Sequence, residues 1–159
     1  MSLTLLAKEA AFFSKACGLE KSRKKHTAGT VKRDRNSVKK MLREEFKELL
    51  SAKTTDDILD GSIDVLYVLL QLINKLQEAG IDVEEALRRV NENNASKYTD
   101  DYEKACLWEK EAEGSGLHLD STVVNGVEYY CLKNEDGKVC KPYDFVKVDF
   151  SDLIPENLK

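Results

Sequence analysis

The chain has 159 residues, 25 Lys+Arg against 29 Asp+Glu, a net charge of -4 and 42% apolar residues. That is the composition of one ordinary domain with at most a small appendage, and it excludes wholesale disorder. Eight Gly and two Pro exclude a loop-dominated or collagen-like chain, and the longest apolar stretch, Val65 to Ile73, is too short to span a bilayer.

In chain order, Leu3 to Ala16 predicts a helix with an apolar face at Leu6, Ala10, Phe13 and Cys17, closed by Gly18. The opening residues lack a basic n-region and a cleavage site, so no signal peptide is expected there. Residues 19–36 read as a basic loop with Gly29 as its breaker. Between 21 and 40 nine Lys or Arg stand against Asp34 alone, a local charge of +8. Such a run attracts polyanions, although a solvated surface is its commoner role. No aromatic residue is interleaved, so a base-stacking platform and nucleic-acid binding are not expected.

A helix from about Ser37 to Ala52 follows, with Val38, Leu42, Phe46 and Leu49 on its apolar face. Met41, Glu45, Glu48 and Ala52 form the adjoining stripe, which puts two acids at the border of that face, while Glu44 and Lys47 point outward. Thr55-Asp56-Asp57 starts the next helix, which runs to Ala79 and stops at Gly80. It is apolar nearly all round, and so expected to be buried on most sides. One polar stripe remains: Asp57, Asp60, Asp64, Tyr67, Gln71, Asn74 and Glu78. It is either a narrow solvent face or, at Asp60 and Asp64, a place where two costly carboxylates share a cation.

Asp82 caps a helix from Val83 to about Tyr98, whose inward row (Val83, Ala86 or Leu87, Val90, Asn94, Lys97) turns polar at its end and suggests a polar cavity. A short acidic helix, roughly Asp100 to Glu113, ends at Gly114. Beyond it, Asn125-Gly126 between Thr122–Val124 and Val127–Leu132 is a hairpin signal, and Asn134 to Gly137 is a second turn leading into Lys138 to Phe145. The expected architecture is an all-α helical bundle over residues 1–113 with a dependent β-hairpin tail over 114–159. Cys17, Cys106, Cys131 and Cys140 fit no zinc spacing and are expected as reduced thiols in a cytoplasmic protein.

Carboxylates on two successive helices, facing an amide and an ammonium on a third, are hard oxygen donors suited to Mg2+ or Mn2+. Neither of the two His lies in this group, which argues against zinc. The runs EEFKELL, DGSIDVLYVLLQL and GIDVEEALRRVNENNASKY resemble the all-α nucleoside triphosphate pyrophosphohydrolases, the MazG-like and phosphoribosyl-ATP pyrophosphohydrolase superfamily that also includes the dimeric dUTPases. The likeness covers about residues 37–98. It implies the Glu-Glu-x-x-Glu motif at Glu44, Glu45 and Glu48, the Asp of the second motif at Asp64, and the Asn-x-x-Lys motif at Asn94 and Lys97. Where the family usually carries Glu three residues before Asp64, this chain has Gly61, and Asp60 on the same face takes the carboxylate's place.

The resemblance further implies magnesium-dependent hydrolysis of a nucleoside triphosphate or related nucleotide to the monophosphate and pyrophosphate. Glu45, Glu48, Asp60 and Asp64 would hold metal. Glu44 would orient water, Lys97 would offset phosphate charge, and Asn94 would bond phosphate or sugar. It implies a homodimer or homotetramer. The alternatives are a non-catalytic nucleotide-binding or regulatory protein on the same scaffold, and a nucleic-acid-binding module built on residues 21–40.

Overall fold

The structure is a computed structural model that describes residues 2–18 and 26–159. Its five α-helices are α1 (Leu3–Ala16), α2 (Ala28–Ser51), α3 (Thr55–Glu78), α4 (Val83–Ala95) and α5 (Tyr102–Glu111). Three strands, β1 (Tyr98–Thr99), β2 (His118–Val124) and β3 (Val127–Lys133), form one antiparallel sheet in the order β1-β3-β2. The fold is thus all-α with a small sheet towards the C-terminal end, as expected. No described helix is long and apolar enough to cross a membrane. Two compact units are present: Met1–Ala86 with Phe150–Lys159, and Leu87–Asp149.

In the first unit α3 is the element against which α1 and α2 both pack. The face of α1 that does so is made of small residues, Ala7, Ala10, Ala11 and Ser14, all buried. Of the expected face of Leu6, Ala10, Phe13 and Cys17, Ala10 is buried and Leu6 packs against the core, whereas Phe13 and Cys17 are exposed. Ala7, Ala10 and Leu70 form the core there, with Leu3, Leu6, Tyr67 and Ile73 around it. The polar stripe of α3 is not a solvent face in its second half. Gln71 accepts from Ser14 Oγ at 2.7 Å, Glu78 pairs with Lys15 at 2.7 Å, and Asn74 is buried. Lys15 and hydrogen bonds hold the Glu78 carboxyl below its ordinary 4.5, against the opposing pull of desolvation, which acts more strongly than any one of them.

The expected loop over 19–36 is overturned from residue 28 onward. Thr27 and Thr30 form a capping box, each side chain bonded to the other's backbone N–H, and α2 starts at Ala28. A reciprocal cap of this kind satisfies two orphan donors and outweighs the entropic cost of Gly29 in the first turn. The basic residues Lys32, Arg33 and Arg35 are therefore exposed helical positions, whereas Lys21, Arg23, Lys24 and Lys25 lie outside the described residues. A second capping box, Thr54 with Asp57, starts α3 after the three-residue link 52–54. The box also draws the Asp57 carboxyl below its ordinary 3.8, its bonds to Thr54 being the main cause.

So short a link folds α2 back on α3 as an antiparallel pair. Their closest approach is at Gly61, where an added Cβ would lie 3.1 Å from Leu49 Cα. The burial expected around α3 is not found among the described residues. Ile58, Leu59, Ile63, Leu66 and Leu69 are exposed, Leu59 by 62%, and so is Phe46 of α2.

In the second unit, Trp108 of α5 and Ala112, which caps its C-terminal end, form a core with Leu132 of β3. Asn125 and Gly126, with φ of 52° and 82°, make the tight turn between β2 and β3. α4 stops at Ala95 rather than Tyr98, because Tyr98 and Thr99 pair with Cys131 and Tyr130 as the third strand. Lys138 to Phe145 contributes only the bridge Lys133–Val139. Beyond that bridge the chain runs as an irregular strap. It is held by Asn93 Nδ2 to Val146 O, by Arg89 to Asp149 O at 3.0 Å, and by Lys104 to Asp144 at 3.4 Å.

Candidate active site

The α2–α3 register decides which acids meet. Gly61 faces Leu49 at the crossing. One turn back along α2 is Glu45 and one turn on along α3 is Asp64, each about 5 Å from the crossing at 1.5 Å per residue. These two are half-buried, whereas Glu44, Glu48 and Asp60 are exposed. Burial pushes the Glu45 carboxyl above its ordinary 4.5, and the charges of Asp64, Glu48, Glu44 and Asp60, in that order, push it the same way. The four other sequence-predicted acids thus each act on Glu45. Among the described residues, Glu44 alone of the five pairs with a cation, Lys40 at 3.8 Å along the same helix.

A cluster of unneutralised carboxylate oxygens stabilises a hard divalent cation and is itself relieved by one. The donor set fits Mg2+ or Mn2+ in charge and in chemistry. Among the described residues, no three such side chains are gathered closely enough to hold an ion outright. Gly61 explains the chain's departure from the Glu-x-x-Asp pattern. The position is buried against the Leu49 backbone, which leaves little room for a longer side chain, and Asp60 stands one residue earlier.

Asn94 and Lys97 belong to the second unit. Lys97 Nζ donates to Asn94 Oδ1 at 2.8 Å and lies 5.8 Å from the centre of the Phe145 ring. The amide and the ammonium expected to act together are thus brought together, with Lys97 in the turn just past α4. Phe145 is a neighbour that sequence reasoning missed. No periodicity links a strap residue to one 48 positions earlier; the only signal was an aromatic residue in a lysine-rich tail. Trp108 is buried against Leu132 of β3, and Tyr67 packs edge-on against Phe13 with the ring centres 6.2 Å apart.

The family model described as phosphoribosyl-ATP pyrophosphohydrolase matches residues 13–94, just over half of the chain. No curated protein and no solved structure matches.

Proposed function

Because the chain belongs to the phosphoribosyl-ATP pyrophosphohydrolase family, whose activity is pyrophosphate release from a nucleotide-like substrate, we propose that it hydrolyses a nucleoside triphosphate or a close relative such as phosphoribosyl-ATP, with Mg2+, to the monophosphate and pyrophosphate. The observation that carries this reading is the convergence of four acidic charges on a half-buried Glu45. Surplus negative charge is costly in a fold and is best accounted for by a cation that arrives with the substrate phosphates.

Glu45, Glu48, Asp60 and Asp64 would hold the metal. When bound, it would offset phosphate charge and raise the acidity of a coordinated water. Glu44, exposed beside them, would accept a proton from the attacking water, as its partner Lys40 is 3.8 Å away and easily displaced. The reaction breaks one phosphoanhydride bond, and pyrophosphate leaves. Lys97 would hold the charge that develops on the phosphates, and Asn94 would fix its direction.

The test is a nucleotide panel with Mg2+ read by pyrophosphate release. Turnover of at least one nucleotide, lost by 10²-fold or more in Glu48→Ala, is expected; no turnover of any nucleotide with either metal would end the reading. The packing at Gly61 favours one second reading, a nucleotide-binding protein without turnover, because it removes one carboxylate from the expected set. Tight nucleotide binding with no product would select it.

The exposed row Ile58, Leu59, Ile63, Leu66 and Leu69 supports a homodimer or homotetramer that buries this face. Four free thiols suit a cytoplasmic protein. The runs of exposed base on α2, with no aromatic among them, give little support to nucleic-acid binding.

A further inference from the structure

Two ammonium groups meet at one aromatic ring in the second unit. Lys97 Nζ lies 5.8 Å and Lys141 Nζ 4.8 Å from the centre of the Phe145 ring. Some lysines of this chain find carboxylates: Lys15 has Glu78, Lys104 has Asp144, Lys133 has Asp120 and Lys159 has Glu156, while others, such as Lys47 and Lys110, have none among the described residues; what sets Lys97 and Lys141 apart is the ring they share. Among the described residues neither Lys97 nor Lys141 has a carboxylate partner. Lys97 has only the neutral Asn94 oxygen, and Lys141 only the ring. Two like charges brought to one ring repel each other, and a ring face repays only part of that cost. The arrangement is relieved by an anion with several oxygens.

The place of the ring is set by the chain. Phe145 N donates to Pro142 O at 3.1 Å, closing a turn that puts Lys141 and Phe145 side by side. The turn is fastened to α4 through Asn93 and Arg89 and to α5 through Lys104. The strap lies outside the residues that match the family, which end at 94.

We infer that Lys141 and Phe145 of the strap complete the phosphate-binding site begun by Asn94 and Lys97: Lys141 is a second cation for the polyphosphate chain, and Phe145 is the platform that holds both ammonium groups in place. This rests on the proposed function, because it takes the ligand to be the substrate's polyphosphate.

The test titrates inorganic tripolyphosphate, without divalent metal, into the full chain and into Lys97→Met, Lys141→Met and Phe145→Leu, with circular dichroism checking that each folds. Lys138→Met, an exposed tail lysine away from the ring, is the control. Lys97→Met and Lys141→Met are each expected to weaken binding about tenfold, the loss of one charge-assisted contact, and to flatten the salt dependence; Lys138→Met binds as the parent does. In turnover assays with Mg2+, Lys141→Met is expected to raise KM more than it lowers kcat. Phe145→Leu keeps the bulk and loses the ring, so weakened binding there assigns the platform role to the aromatic face. Tripolyphosphate binding and turnover in the parent, with Lys97→Met weakened and Lys141→Met unchanged, overturns the inference and leaves the function standing. A parent that neither binds tripolyphosphate nor releases pyrophosphate from any nucleotide overturns both.

Discussion

Glu45 is the side chain whose state depends most on its neighbours. Burial and four like charges raise its pKa above 4.5, so it keeps its proton to higher pH than an ordinary glutamate. In the metal-free chain a carbon-detected NMR titration should therefore place Glu45 above 4.5. Asp64→Asn, which removes the largest like charge, should lower that value, and Mg2+ should lower it too. The sign for stability follows: a raised carboxyl pKa makes the charged form the unfavourable one, so this group opposes folding as the pH rises through its folded value. At Gly61 the prediction is steric. Gly61→Glu restores the family's letter but places a Cβ 3.1 Å from Leu49 Cα, against backbone that has little room to yield. We expect urea denaturation to show a loss of about 1–3 kcal/mol and turnover not to rise. The alignment of Glu45 with Glu48 and of Asp60 with Asp64 was legible in the sequence from helical spacing, whereas their assignment to a metal site rests on the resemblance. The reason for the glycine was not, because a close approach between two helices leaves no periodic trace in either.

At the scale of elements, the start of α2 turned on two threonines. Thr27→Ala removes the capping hydroxyl, and about 1 kcal/mol of stability should go with it. The sequence reading weighted the charges and Gly29 and so passed over Thr-x-x-Thr, since Thr is a weaker box partner than Glu at that position. The extent of α4 was misjudged for another reason. Its continuation to Tyr98 was locally plausible, and pairing with β3, some 30 residues further on, decided otherwise. The hairpin was legible because Asn-Gly is a strong local signal. Asp120 illustrates its electrostatics. The Lys133 ammonium beside it draws its carboxyl below the ordinary 3.8. A lowered carboxyl pKa contributes stability above the unfolded value, and that contribution is lost as pH falls through the folded value. The hairpin should loosen only below about pH 4, which the Tyr129 and Tyr130 proton signals would report, and Asp120→Asn should remove that dependence.

At the scale of the molecule, the apolar face of α3 is an exposed surface that no other described residue covers. Ile63→Asp and Leu66→Lys put charge on it without touching the buried Val68 or Leu70. If a second copy covers that face, sedimentation should show the parent as at least a dimer and the double variant as a monomer. The all-helical class was legible from periodicity; the α3 pattern reads as a demand for burial that the described residues do not meet. What one sequence does not reveal is whether the demand is met within the chain, since intrachain and interchain packing leave the same pattern.

The last ten residues return to the N-terminal unit rather than extending the second. Pro155 closes over Gly80 at the end of α3, Asn157 Nδ2 donates to His26 O at 3.0 Å, and Leu158 is buried. The 63 residues from Leu87 to Asp149 are thus spliced into a body that begins before them and finishes after them. A stop codon at position 150 would then injure the helices far more than the sheet it follows. Proteases should attack the N-terminal half of such a shortened chain first, while Trp108, held wholly by its own unit, keeps its native fluorescence.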